Sequence, residues 1–281
     1  MLSKTSTLVC VALGAMLSTA RADTETPPGT DSPADYRLTL PRGRVLLDAF
    51  AEINLSDGAV FKPFSLSPDL WYGATDDLTV GLVHSVLGTT GLLGAVPGNG
   101  VGGDGLCLTG TDGNCESVYP RAGIEVRYQL TPKQFAWAVD GGLYFRDLDP
   151  VQLAIKLGVM GRWSSGKLAI ELAPSVFLGV TNREPDLTNP GAPNQETVYL
   201  PTTALYTVAP KLAIALQLGF VLPIEKLGDT YAVSVSLGAH YDVNESVTVN
   251  LAFSLPTVAT GLAAGGGFDT RLLTLGGTYA F

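Results

Sequence analysis

Residues 247–255 read Val-Thr-Val-Asn-Leu-Ala-Phe-Ser-Leu, and residues 273–281 read Leu-Thr-Leu-Gly-Gly-Thr-Tyr-Ala-Phe. In an extended chain successive side chains point to opposite faces. Val247, Val249, Leu251, Phe253 and Leu255 therefore share one face, opposite Thr248, Asn250, Ala252 and Ser254. Leu273, Leu275, Gly277, Tyr279 and Phe281 likewise oppose Thr274, Gly276, Thr278 and Ala280. A third stretch repeats the pattern, with Val151, Leu153, Ile155, Leu157 and Val159 against Gln152, Ala154, Lys156, Gly158 and Met160. Period two over nine residues predicts β-strands with one apolar face and one small, polar or charged face.

Working outward, the same alternation predicts twelve strands, at 44–55, 61–75, 78–88, 119–130, 135–146, 151–163, 167–180, 197–208, 211–222, 230–243, 247–258 and 270–281. The connections alternate between two kinds. Tight turns fall at Asp76-Asp77, Thr131-Pro132-Lys133, Ser164-Ser165-Gly166, Ala209-Pro210 and Asn244-Glu245-Ser246. The others are longer or more variable, as at 89–118, 181–196, 223–229 and 259–269, with short members near Asp57 and Asp149. An even strand count with tight turns at one end and long loops at the other fits an antiparallel up-and-down barrel. A soluble sandwich has no reason to sort its loops this way.

Composition separates the two further. The chain has 33 glycines and only 15% charged residues, yet no apolar run in its body reaches the roughly twenty residues of a spanning helix. The best candidate, residues 212–224, carries Gln217 in mid-run. Apolar material cut into strand-sized pieces is what a membrane barrel needs, since a tilted strand crosses in about 9–11 residues. The formal net charge of −9 and the lack of any Lys/Arg cluster disfavour nucleic acid as a partner.

The N-terminus predicts export. Lys4 precedes an apolar core at residues 8–17, and Ala20-Arg21-Ala22 is a small-x-small cleavage site, so residues 1–22 read as a signal peptide. Cys10 lies inside the apolar core and leaves with it. Residues 23–43, rich in Pro, Thr and Asp near their start, read as a flexible periplasmic leader, and 44–281 as the barrel. Export leaves Cys107 and Cys115 in an oxidising compartment, where a local disulfide is the expected pairing.

Aromatics cluster beside the tight turns: Trp71, Tyr72, Tyr128, Phe135, Trp137, Trp163, Tyr206, Tyr241, Tyr279 and Phe281, most on the apolar face. Tyr72, Tyr128, Trp137, Trp163, Tyr206, Tyr241, Tyr279 and Phe281 then read as an interfacial girdle, because indole and phenol favour the lipid–water boundary. The closing strand, Leu275-Gly276-Gly277-Thr278-Tyr279-Ala280-Phe281, resembles the assembly signal of Gram-negative outer-membrane β-barrel proteins. The turn units Trp71–Gly81 and Tyr206–Leu212 are similar to periplasmic hairpins of that porin-like class. The resemblance implies an outer-membrane location, contact with outer-membrane lipids, and recognition of the strand ending at Phe281 by the barrel-assembly machinery.

With the apolar face outward, the lumen is expected to hold Asp48, Glu52, Asp69, Arg121, Glu125, Arg127, Asp140, Arg146, Lys156, Arg162 and Glu171. All come from the first seven strands. The later strands offer mainly Ala, Ser, Thr, Gly and Asn, with Gln217 and His240. Mixed charge beside small residues suits either a salt-bridged interior or a polar path for small solutes. The expectation is a passive channel, and a non-conducting structural or surface-binding barrel is the alternative. A lipid-modifying enzyme fits less well. His84 and Ser85 face opposite ways, and His240, though of the same parity as Ser234 and Ser236, has no evident orienting carboxylate and lies near a tight turn. No metal or cofactor is expected: zinc spacing, phosphate loop and dinucleotide fingerprint are all missing, and the glycines of 98–105 read as loop.

Overall fold

The computed structural model describes residues 37–84, 106–110, 119, 121–132, 134–148, 151–183, 194–224, 231–260 and 269–281. The expected signal peptide, most of the expected leader, the glycine-rich stretch 98–105 and Cys115 lie outside the described residues. Fifteen strand segments carry the fold: β1 (Val45–Asn54), β2 (Phe64–Gly73), β3 (Leu78–Val83), β4 (Leu106–Cys107), β5 (Ala122–Pro132), β6 (Phe135–Leu148), β7 (Val151–Ser165), β8 (Leu168–Leu172), β9 (Ser175–Gly179), β10 (Thr197–Tyr199), β11 (Thr202–Ala209), β12 (Leu212–Pro223), β13 (Ala232–Asp242), β14 (Val247–Thr260) and β15 (Leu272–Ala280).

The sheet is a closed antiparallel barrel of twelve strands. Closure runs between the first strand and the last, with Leu46 opposite Ala280 and Asn54 opposite Leu272. The seam is completed by Val45 N donating to the Phe281 carbonyl (2.9 Å) and Phe281 N to that of Val45 (3.0 Å). β4 lies off this path and pairs with β2.

Two expected strands are each interrupted once, and both interruptions have the same cause. The strand expected at 167–180 divides into β8 and β9 around Ala173-Pro174, and that at 197–208 into β10 and β11 around Leu200-Pro201. Proline has no N–H for the ladder, so the carbonyls carry the connection. Val159 N donates to the Pro174 carbonyl (3.0 Å), and Ala173 N to that of Pro201 (3.2 Å). The two breaks sit side by side, and the ring stays closed through them. β3 runs to Val83, and residues 85–88 of the expected strand 78–88 lie outside the described residues. The residue that would continue it faces Pro68, and His84 N turns to the Asp69 carboxylate instead (2.6 Å).

Burial separates the two faces as the alternation requires, but inverted relative to a soluble protein. Along β5, Ile124 is 61% exposed while Glu125 is 0% exposed. Val126, Tyr128 and Leu130 follow Ile124 outward, and Arg127 and Gln129 follow Glu125 inward. In water such a surface would be a continuous exposed apolar belt, which soluble monomers avoid. As the outer surface of a membrane barrel it faces hydrocarbon.

Candidate functional site

The inner wall between β2 and β9 is built from rows that alternate large side chains with glycine. Register places Trp71 opposite Gly81, Gly81 opposite Glu125, Glu125 opposite Gly142, Gly142 opposite Lys156, and Lys156 opposite Phe177. A Cβ on Gly81 would sit 2.3 Å from the Trp71 ring, and one on Gly123 2.7 Å from the Tyr144 ring. The glycines are seats over which long inward side chains lie flat across a neighbouring strand. Lys156 and Glu125 flank Gly142 of the strand between them and meet across it.

The result is a buried charge network. Lys156 Nζ donates to Glu125 Oε2 (2.7 Å) and lies 2.6 Å from Asp140 Oδ2. Arg127 Nε donates to Glu125 Oε1 (2.9 Å), and the Tyr144 hydroxyl donates to Glu125 Oε2. Above it, the rings of Tyr144, Phe177 and Tyr199 form an edge-on row, with centroids 5.2 and 5.1 Å apart. Below it, the Arg127 guanidinium sits 3.8 Å over the Trp71 ring, a cation–π contact. Arg162 Nη1 lies 3.1 Å from Glu171 Oε1 farther round the wall.

Of the eleven expected lumen charges, Asp48, Glu52, Asp69, Glu125, Arg127, Asp140, Lys156 and Arg162 are buried on the inner face, and Glu171 is half-buried there. Arg121 and Arg146 are half-buried toward the long-loop rim. Arg146 Nη1 donates to the Gln195 carbonyl (2.9 Å) and to Asn194 Oδ1 (3.3 Å), clamping the chain that enters β10. At the same rim His84 Nε2 meets the Tyr119 hydroxyl at 2.6 Å, and burial raises the pKa of that phenol. Tyr72, Tyr128, Trp137, Tyr206, Tyr241 and Tyr279 are exposed outward, and Trp163 and Phe281 are half-exposed. Trp71 differs from these neighbours: it faces the lumen and is 2% exposed. Its parity with Asp69 foretold the inward side, but proximity to a turn did not.

Three features escaped the sequence reading. Residues 37–42 lie across the short-turn rim, with Leu38 buried. Leu38 N donates to Gln129 Oε1 (2.9 Å) and Leu40 N to Thr79 Oγ1 (2.7 Å). Nothing periodic marks this segment, so only the wall it meets reveals it. Asn194, fully buried, donates from Nδ2 to the Leu153 (2.7 Å) and Thr181 (2.9 Å) carbonyls. Finally, His240 has a carboxylate neighbour after all: Nε2 lies 3.4 Å from Asp242 Oδ1, and Nδ1 2.6 Å from Asn250 Oδ1. The Ser236 hydroxyl donates to Ser254 (2.5 Å) rather than to this imidazole. Cys107 is described and buried in β4. Among the described residues no group of three or more His, Cys, Asp or Glu could hold a metal ion.

The NanC porin matches over 83% of this chain and 98% of its own, with a TM-score of 0.55 at 9% identity. An outer-membrane channel from Pseudomonas putida F1 matches over 92% and 100%, with a TM-score of 0.51 at 15% identity. The fold is that of outer-membrane porins and channels. No family model matches the sequence, and no curated protein does. At these identities the likeness covers the barrel architecture, and the chemistry of the lumen has to be argued from its own residues.

Proposed function

We propose that this outer-membrane barrel is a passive channel for small solutes. The observation that carries the reading is a set of buried lumen atoms with no hydrogen-bond partner among the described residues: Gln217 Oε1, Thr274 Oγ1, Thr278 Oγ1 and Ser65 Oγ. Buried polar atoms are nearly always satisfied, by protein or by ordered water. Here the wall opposite the charge network is built from Ala215, Ser234, Ser236, Ala252 and similar small residues, which leaves room for water to do so. Water along one wall beside fixed charge on the other is a polar path.

Single-channel recording of the refolded protein in a planar bilayer tests this. Discrete conductance steps that change in size with Arg162→Gln support the path. Electrical silence supports the second reading, a non-conducting structural or surface-binding barrel. That reading draws on residues 37–42 across one mouth and the aromatic row Tyr144–Phe177–Tyr199 inside. We assign no catalytic role to His240, whose imidazole meets Asn250 and Asp242 while Ser236, of matching parity, donates to Ser254; phospholipid hydrolysis lost on His240→Ala would overturn that.

The same reading includes export by the 1–22 signal, a disulfide between Cys107 and Cys115, a lipid-facing aromatic girdle, and assembly through the strand ending at Phe281. The girdle is supported by the outward placement of its eight residues on strand ends beside tight turns and at the C-terminus. Heat-modifiable gel migration of the membrane fraction, lost when β15 is deleted, is the expected result for assembly.

A further inference from the structure

We propose that the lumen holds a carboxylate-binding subsite at its short-turn end, formed by Trp71, Arg127 and Arg162 and suited to a small acid with an apolar body. These residues line one cavity of ≈ 230 Å³, together with Leu38, Leu40 and Thr278. That volume holds several waters or one small organic acid.

What points to an anion is the chemistry of the buried atoms left over. Trp71 Nε1 and Arg127 Nη2 are both buried, both are donors only, and neither has a hydrogen-bond partner among the described residues. Trp71 and Arg127 are 2% and 1% exposed, so bulk water does not serve them freely. The Thr278 hydroxyl on the same cavity is also without a partner there. Glu125 occupies Arg127 Nε and leaves Nη2 without a partner among the described residues, on a side chain that lines the cavity. Arg162 adds a second cation, held from behind by Glu171.

The acids on this cavity do not cancel that wall. Asp242 accepts from the Thr248 hydroxyl (2.8 Å) and neighbours His240, while Glu245 is exposed in the turn at the mouth, where Arg37 is exposed as well. A carboxylate brings two acceptor oxygens to adjacent N–H donors, the pairing that arginine and indole supply best. Leu38, Leu40 and Leu46 present an apolar surface to the same space, which suits the rest of such a molecule.

The subsite deepens the channel reading by naming a solute class, but its test reads binding rather than conduction. In refolded full-length protein carrying Trp137→Phe and Trp163→Phe, Trp71 is the sole tryptophan, since the chain has three. Iodide should quench its fluorescence saturably, and caesium should not. Cyclohexanecarboxylate should protect against iodide, while its neutral analogue cyclohexylmethanol should not. Chloride or phosphate protecting as well as the carboxylate would reduce the subsite to a general anion site and overturn the carboxylate assignment. Arg127→Gln should weaken iodide half-saturation roughly tenfold or more, the loss of one charge-assisted contact. Heat-modifiable migration checks that this variant is folded, and Arg162→Gln serves if it is not. Iodide quenching no better than caesium, or unchanged in folded variants, overturns the proposal. Saturable quenching in an electrically silent protein would keep the subsite and remove the channel; conduction without it would do the reverse.

Discussion

Replacing Glu125 with alanine should lower the unfolding free energy by about 3–5 kcal/mol, the range for removing one partner of a buried ion pair. Glu125 is fully buried and accepts from Arg127, Lys156 and Tyr144. Without it, Lys156 retains Asp140, but the Arg127 guanidinium loses the carboxylate that Nε donates to and the tyrosine hydroxyl loses its own acceptor. Glu125→Gln keeps an acceptor oxygen in place and should cost distinctly less. Urea titration of the refolded protein in detergent micelles measures both. A loss below about 1 kcal/mol for alanine, the scale of an exposed pair, would mean that lumen water solvates these cations. The charge network would then be part of the wet path rather than a dry wall beside it.

Gly73→Ala should open the short-turn mouth. A Cβ at this position would stand 2.0 Å from the Pro41 carbonyl oxygen and 2.8 Å from that of Leu40. Both are backbone atoms and neither can swing aside. Gly73 also pairs with the segment directly, accepting from Gly43 N (2.7 Å). The added methyl therefore forces residues 37–43 off the wall, breaking the bonds from Leu38 N to Gln129 and Leu40 N to Thr79. The cost expected for such overpacking is about 1–3 kcal/mol. The unit conductance should rise, and protease should cut near residue 40 in folded protein that is otherwise resistant. Unchanged conductance with new protease sensitivity would show that the segment closes nothing. Wild-type behaviour in both assays would show that β2 shifts to accommodate the methyl.

These two variants separate what is legible in the sequence from what is not. The strands were legible because a half-buried β-strand writes its two faces into alternate residues, and twelve segments with sorted connections leave few ways to close. Even the inward side of Glu125, Arg127 and Asp140 follows from parity alone. The interruptions at Pro174 and Pro201 were also visible as residues, but not the fact that the two breaks lie side by side, which depends on the relative register of neighbouring strands.

Phe281 and the alternation leading up to it thus determine, by themselves, a closing strand with one apolar face, and the rest of the chain determines an antiparallel barrel around it. Only the tertiary structure decides which inward residues meet. Strand parity assigns a side chain to a face, whereas contact across the lumen depends on shear between strands and on where glycine leaves a seat. Gly142 stands between Lys156 and Glu125 in the register, and Gly81 lays Trp71 flat beside Arg127. The segment 37–42 is the extreme case, since its place is set by hydrogen-bond acceptors on β3 and β5 that no local pattern in the segment records.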